Sequence, residues 1–278
     1  MTGVQTCALP IWLADATRTL RVGPGFDLAT DVGPLIDPPS GSLLRALTIL
    51  DLGEEWLVRP QSVDESGRLW SPGVRIGVAA GSWFHQHECF GPVLGVMRAR
   101  DLDHAIELQN ASEFGLTAGL QSLDSDEIDH WINTVEAGNL YVNRSTTGAI
   151  VQRQPFGGWK RSVVGPTAKA GGPRYVASLC RWSRDNVFDA ASVIEGYRSW
   201  AVDHLAAEHD PSGLVGETNV LRFRPLPGGI AVRLASDQCL SADALVTEIA
   251  RLTRCNVHIT CLNRERQRVR RSSDGVRR

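Results

Sequence analysis

The chain has 278 residues, 42% of them hydrophobic and 22% charged, with a formal net charge of -2. That length accommodates one large or two small domains of an ordinary globular protein; the near-neutral charge argues against a polyanionic partner such as nucleic acid, and no run of about 18 apolar residues is present to span a membrane. Cys7, Cys89, Cys180, Cys239, Cys255 and Cys261 lack the spacing of a disulfide framework and no secretory leader precedes them, so a reducing cytoplasm is the expected setting.

Residues 1–11 have neither the basic start nor the apolar core of a signal peptide. Read as codons they resemble a translated sequencing-library adapter, so they are expected to be a non-native segment outside the fold, and Cys7 is not expected to be a nucleophile. Residues 12–20 read as the tail of a helix ending before Gly23, Pro24 and Gly25, a start that suggests truncation. Residues 42–50 place Leu43, Leu44, Leu47 and Leu50 at helical spacing, and 54–59 and 74–79 are strand candidates on either side of a polar turn at 64–67. Between 82 and 93 a strand would put His85, His87 and Cys89 on one face as a partial metal site. A structural zinc wants a fourth ligand not visible nearby, and a histidine pair is more often surface or hydrogen-bonded core.

Beyond that point the pattern becomes regular. Residues 93–97 and 116–121 read as strands, 102–110 as a helix with Leu102, Ala105, Ile106 and Leu108 inward, and 125–135 as a helix capped by Ser125 with Ile128, Ile132 and Val135 on one face. Residues 138–142 form the next strand, Leu140 and Val142 alternating with Tyr141 and Asn143. Strands alternating with short helices imply an open, mainly parallel α/β sheet, whose ligands sit beyond the carboxyl ends of its strands. A long loop leaves the strand there. Gly148 permits close backbone approach, the N–H groups of Gly148 and Ala149 can donate side by side to a small anion such as a carboxylate, and Pro155 to Gly158 fix a turn that presents Phe156. An ordinary surface loop with a core phenylalanine reads equally well from the loop alone.

The wording is more specific than the pattern. Asp-Val-Gly-Pro at 31–34, Glu-Cys-Phe-Gly-Pro at 88–92, Gly-Asn-Leu-Tyr-Val-Asn-Arg at 138–144, Thr-Gly-Ala at 147–149, Gln-Pro-Phe-Gly-Gly at 154–158 and Lys-Ala-Gly-Gly-Pro at 169–173 occur in order. Together, over about residues 13–182, they closely resemble the end of the catalytic domain of L-glutamate gamma-semialdehyde (1-pyrroline-5-carboxylate) dehydrogenases, in the aldehyde dehydrogenase superfamily. These enzymes occur alone or as the second module of bifunctional proline utilization A proteins.

The resemblance implies an incomplete aldehyde dehydrogenase catalytic-domain fold over 12–183, and an NAD-dependent oxidation of L-glutamate gamma-semialdehyde to glutamate in proline degradation. In that chemistry a cysteine thiolate attacks the aldehyde, hydride passes to NAD, and water activated by a glutamate hydrolyses the thioester. The nucleophilic cysteine, the general-base glutamate and most of the dinucleotide-binding domain are expected upstream of Trp12, so the chain alone is expected to be inactive and poorly soluble. By resemblance, Glu88 accepts hydrogen bonds from the nicotinamide-ribose hydroxyls of NAD and Phe90 packs beside that ribose. Gly148 and Ala149 anchor the substrate α-carboxylate and Phe156 lines its aliphatic chain. The implied whole enzyme is a homo-oligomer acting on a small molecule, with no metal. At 162–165 the sequence has Ser-Val-Val-Gly where Ser-Gly-x-Gly is usual, leaving that loop's conformation open.

Past Trp182 the resemblance weakens. Residues 187–207 read as a helix, 210–213 as a turn, 214–227 and 230–234 as strands, 241–252 as a helix and 257–261 as a strand. This is similar to the degenerate aldehyde-dehydrogenase-like domain of some proline utilization A proteins, giving a smaller C-terminal α/β structural region at 184–262. Cys255 and Cys261 share a face with Val257 and Ile259, with His258 opposite, a poor arrangement for a metal. Residues 263–278 carry seven arginines without aromatic interleaving, so a disordered, solvated tail is expected rather than a nucleic-acid patch. Three readings stand at this stage: part of a glutamate semialdehyde dehydrogenase, part of an aldehyde dehydrogenase for another substrate, or a non-catalytic structural or assembly module.

Overall fold

The structure, a computed structural model, describes residues 3–150, 153–164, 169–183, 189–225, 229–234, 239–261 and 270–271. The chain divides into two compact units, residues 1–147 with 157–165 and residues 148–156 with 166–278.

In the first unit, α1 (Gly3–Thr19) begins nine residues before Trp12, inside the segment expected to stand outside the fold. A nucleated helix adds residues cheaply, and Pro10 removes only one intrahelical bond. Ala14 and Thr17 face inward. In α2 (Gly41–Thr48) the buried residues are Ala46 and Leu47, whereas Leu44 is exposed. Strands β1 (Glu55–Val58), β2 (Gly73–Ile76) and β3 (Val93–Val96) form one sheet in that order, β1 antiparallel to β2 and β2 parallel to β3. Between β2 and β3 the chain makes one helical turn, α3 (Trp83–Gln86), capped by Ser82, whose hydroxyl accepts from the His85 N–H. The strand that would have aligned His85, His87 and Cys89 is therefore not formed.

An ion pair is sealed inside this unit. The Arg75 side chain is 1% exposed and pairs with Glu54, also 1% exposed, at 2.8 Å. The same guanidinium donates to the carbonyls of Ala46 and Ile49, and stacks 4.9 Å from the Trp56 ring and 4.2 Å from the Phe84 ring. It thereby gathers α2, the turn at Glu54, β1, β2 and α3 around one group.

Helix α4 (Leu102–Asn110) matches its expected bounds and is capped by Asp101, whose carboxylate accepts from the His104 N–H at 2.8 Å. Short β4 (Phe114–Gly115) is followed by β5 (Thr117–Leu120), α5 (Ser125–Thr134), β6 (Asn139–Val142) and β7 (Trp159–Lys160). β5 and β6 are parallel, β4 and β7 antiparallel. The cap of α5 is Asp124 rather than Ser125: its carboxylate takes the N–H groups of Asp126 and Glu127, satisfying two orphan donors where a hydroxyl one residue later satisfies neither. Ile106, Ala118, Trp131, Val135 and Ala137 form the core here, with Ile132, Leu140 and Val142 packed against it. Trp131, absent from the expected face, is buried because its indole N–H finds the Gln109 side-chain oxygen at 3.1 Å.

The second unit contains α6 (Tyr175–Ser178) and α7 (Ala190–Trp200), the latter capped by Asp189 and continued by a π-helical turn at Ala201–Leu205. Expected helix residues 187 and 188 lie outside the described residues. β8 (Ile230–Leu234), α8 (Cys239–Thr253) and β9 (Val257–Cys261) make a parallel β–α–β unit, with α8 starting two residues earlier than its spacing predicts. Val257 and Ile259 are half-buried and His258 exposed, as the alternation implied. Residues 214–225 form no strand. Their only ladder contact among the described residues is the isolated bridge of His209 with Leu221, because Asp210 ties the intervening chain into a turn; expected strand residues 226 and 227 lie outside the described residues. In the basic tail, Arg270–Arg271 (β10) pair antiparallel with Ile259 and His258; the rest of 263–278 lies outside the described residues. No helix among the described residues is long and apolar enough to cross a membrane.

Two stability predictions follow from the packing. Arg75→Met strands the Glu54 carboxylate and is expected to cost about 3–5 kcal/mol in urea unfolding, part of it recovered by adding Glu54→Leu. Gly138→Ala drives a Cβ into the Gly157 carbonyl and to 2.8 Å from the Gly158 Cα, and is expected to lower the unfolding midpoint by about 1–3 kcal/mol in stability.

Candidate functional site

Glu88 and Phe90 occupy one loop, residues 87–92, between α3 and β3. The base of that loop is held by satisfied polar groups. His85 accepts the Gly81 N–H on Nδ1 at 2.9 Å, which leaves Nε2 to donate to the Leu108 carbonyl at 2.9 Å. The His87 ring stacks on Trp83, centroids 4.9 Å apart, and its Nδ1 donates to the Trp83 carbonyl at 2.8 Å. These two imidazoles are thus occupied in packing. Cys89 directs its Sγ to the Ser42 carbonyl at 3.6 Å. Burial pushes this thiol above its ordinary pKa and the Glu88 charge adds to that, against an opposing pull from Arg75. A thiol held neutral in this way is a poor nucleophile. At the far end of the loop the Gly73 N–H donates to the Pro92 carbonyl at 2.9 Å.

Between these pins Glu88 is exposed and Phe90 is 82% exposed, so Phe90 is not a core residue. A carboxylate acceptor two residues from a bare aromatic ring fits a polyhydroxylated group with a flat neighbour, such as the ribose end of a dinucleotide. The loop sits at the amino ends of β2 and β3, not beyond their carboxyl ends. The strand-end rule therefore points to the next loop and misses this one.

The second loop does leave a carboxyl end, that of β6. Asn143 turns it with φ +56°, its side-chain amide closing on Ser122 by donating to the carbonyl at 2.7 Å and accepting the N–H at 3.0 Å. Gly148 has φ +85° and open space where a Cβ would stand; it and Ala149 are exposed, and among the described residues neither N–H is bonded within the protein. Half-buried Phe156 exchanges two backbone hydrogen bonds with Ala170, at 3.0 and 2.9 Å, which brings Gln-Pro-Phe-Gly-Gly against Lys-Ala-Gly-Gly-Pro. Beside this bridge, burial pushes the Lys169 ammonium down to about 8.

The loop returns to its own strand. Asn139, buried beside Tyr141, donates from its side chain to the carbonyls of Leu116 at 3.0 Å and Gly157 at 3.1 Å. Gly138 permits the close backbone approach at this point. Sequence reasoning passed over Asn139, although an amide alternating with a tyrosine on one face of a buried strand was the available signal. Where the usual Ser-Gly-x-Gly is altered, the Ser162 hydroxyl accepts the Gly115 N–H at 3.0 Å and Lys160, at φ +51°, donates to the carbonyls of Asn110 and Ser112. Gly165 lies outside the described residues. The structure thus brings Glu88 and Phe90 together on a loop of the first unit, and sets Gly148, Ala149 and Phe156 on a loop of the second.

Residues 12–184 match the model of the aldehyde dehydrogenase family. The chain is 35% identical over 167 residues to the 1-pyrroline-5-carboxylate dehydrogenase of Geobacillus thermodenitrificans, covering 59% of this chain and 32% of that protein. It is 37% identical over 163 residues to that of Bacillus subtilis, covering 58% and 31%. Among solved structures, proline utilization A from Corynebacterium freiburgense is similar at 45% identity and a TM-score of 0.79, over 91% of this chain and 28% of that one. A Thermus 1-pyrroline-5-carboxylate dehydrogenase with bound NAD is similar at 32% identity and a TM-score of 0.52, over 59% and 31%. The chain spans about a third of the length of the curated relatives it matches. The match to the family model extends over more than half of the chain and includes both loops, and the chain belongs to the aldehyde dehydrogenase family.

Proposed function

We propose that this chain forms part of an NAD-dependent enzyme that oxidises L-glutamate gamma-semialdehyde, in equilibrium with 1-pyrroline-5-carboxylate, to L-glutamate in proline degradation in the cytoplasm. The observation that carries the reading is the loop after β6: two exposed, adjacent amides at Gly148 and Ala149, with Phe156 pinned to Ala170. Backbone N–H groups presented in this way suit the α-carboxylate that separates this substrate from ordinary aldehydes. The half-buried Phe156 ring suits its aliphatic chain.

NAD, when bound, supplies the hydride acceptor. The part of this chain is to orient it: the Glu88 carboxylate accepts from the ribose hydroxyls, and the exposed Phe90 ring, costly to leave in water, is covered by the nicotinamide riboside. Burial raises the Cys89 thiol above its ordinary pKa and makes it a poor nucleophile; as the resemblance to the family implies, we assign the nucleophile and general base to the remainder of the enzyme and expect this chain alone to form no NADH. The whole enzyme is taken to be a homo-oligomer. Residues 184–262 serve as a structural region; similarity to the proline utilization A structure over 91% of the chain supports this.

Two variants of the complete enzyme carrying this sequence test the assignments. Glu88→Gln is expected to raise KM for NAD about ten- to a hundredfold, the loss of charge-assisted hydrogen bonds worth about 1.5–3 kcal/mol, with KM for glutamate semialdehyde unchanged. Gly148→Val, strained at positive φ, is expected to raise KM for glutamate semialdehyde while a short neutral aldehyde is still turned over. Equal losses on both aldehydes would remove the carboxylate-anchor assignment.

A further inference from the structure

The residues after 184 lie beyond the family match, yet they grip both segments that meet at the Phe156–Ala170 bridge. On one side, Arg153 pairs with Glu217 at 3.0 Å, the two side chains 39% and 28% exposed. Glu217 does not stand free: its Oε1 also accepts from the Asn219 side-chain amide at 3.2 Å. Asn219 is buried, its N–H held by Asp210 at 2.9 Å and its side chain by the Ser212 hydroxyl at 3.0 Å. Asp210 further accepts the N–H groups of Ser212 and Gly213, and the Ser212 hydroxyl holds its carboxyl down to about 2. A closed turn thus aims Glu217 at the loop. On the other side, Arg174, directly after Lys-Ala-Gly-Gly-Pro, lies 4.2 Å over the ring of Trp200, where α7 passes into its π-helical turn. That ring is braced edgewise by Phe223 at 6.1 Å. The loop residues 148–156 belong to the same compact unit as this C-terminal region.

We propose that Glu217 and Trp200 are positioning residues: through Arg153 and Arg174 they hold the loop bearing Gly148, Ala149 and Phe156 in the shape that receives a carboxylate-bearing aldehyde. The inference rests on the reading of that loop as the carboxylate anchor. It gives the C-terminal region a part in substrate selection.

The test is made in the complete enzyme carrying this sequence, with Glu217→Gln, Trp200→Leu, Arg153→Glu and the charge-swapped pair Arg153→Glu/Glu217→Arg. For Glu217→Gln and Trp200→Leu, KM for glutamate semialdehyde is expected to rise about tenfold, in keeping with the loss of one partly buried ion pair or one cation–π contact, while KM for NAD stays within about twofold. Amide hydrogen exchange across 148–156 accelerates in both. Arg153→Glu behaves likewise and the charge-swapped pair recovers the wild-type KM, a rescue that a general loss of folding does not give. Unchanged KM and unchanged exchange, in an enzyme that does prefer the carboxylate-bearing aldehyde, overturn the positioning role alone. A wild-type enzyme without that preference overturns the anchor reading and this inference with it.

Discussion

The guanidinium of Arg75, shut away from water between two aromatic rings, is the constraint on which the first unit depends. An unpaired charge in that position would cost several kcal/mol, so each neighbour must arrive with an acceptor or a π face. Glu54 supplies the counter-charge, Ala46 of α2 and Ile49 just after it a carbonyl each, β1 a tryptophan and α3 a phenylalanine. The solution is incomplete: Glu54 Oε1 and Arg75 Nε are buried without a hydrogen-bond partner among the described residues. What the arrangement secures is place rather than strength, since the stacked Phe84 ring ties α3 to the sheet. The loop carrying Glu88 and Phe90 starts where α3 ends.

The two candidate loops use different physics. Residues 87–92 are pinned at both ends by imidazoles, a thiol and a backbone bond, leaving two exposed side chains between. The longer loop instead exposes backbone. Its origin and return are tied to β6 through Asn143 and Asn139, and its Phe156 is bridged to Ala170. Side chains presented on a short pinned loop suit the proposed cofactor contact; bare amides near a glycine at positive φ suit the proposed carboxylate contact. The C-terminal region joins this picture through Glu217 and Trp200.

Much of the fold was legible where packing follows one period. Helix α4 and strands β8 and β9 fall on their expected bounds, since their apolar positions follow a single regular spacing. Departures occur where a polar contact decides. Arg75 sits inside a strand, and no hydrophobic pattern foretells that a guanidinium will be its largest fully buried side chain. Trp131 enters the core because Gln109 receives its N–H, and Asp124 displaces Ser125 as a cap by geometry one residue away. Residues 214–225 alternate like a strand, but Asp210 and Asn219 take up the backbone first. The candidate residues Glu88, Phe90, Gly148, Ala149 and Phe156 are proposed from the wording of the ordered motifs, not from any hydrophobic period. What holds those residues was not legible, because Asn139 and Glu217 act through partners 18 and 64 positions away at Gly157 and Arg153.

The central claim is that the exposed amides after β6 select a carboxylate-bearing aldehyde. The most direct measurement is kcat/KM of the complete enzyme, with NAD, for L-glutamate gamma-semialdehyde against an aldehyde of the same chain length lacking the α-carboxylate. Two hydrogen bonds to a charged acceptor, each worth about 1.5–3 kcal/mol, predict a preference of about a hundredfold or more. A ratio near one contradicts the account and leaves only membership of the aldehyde dehydrogenase family standing.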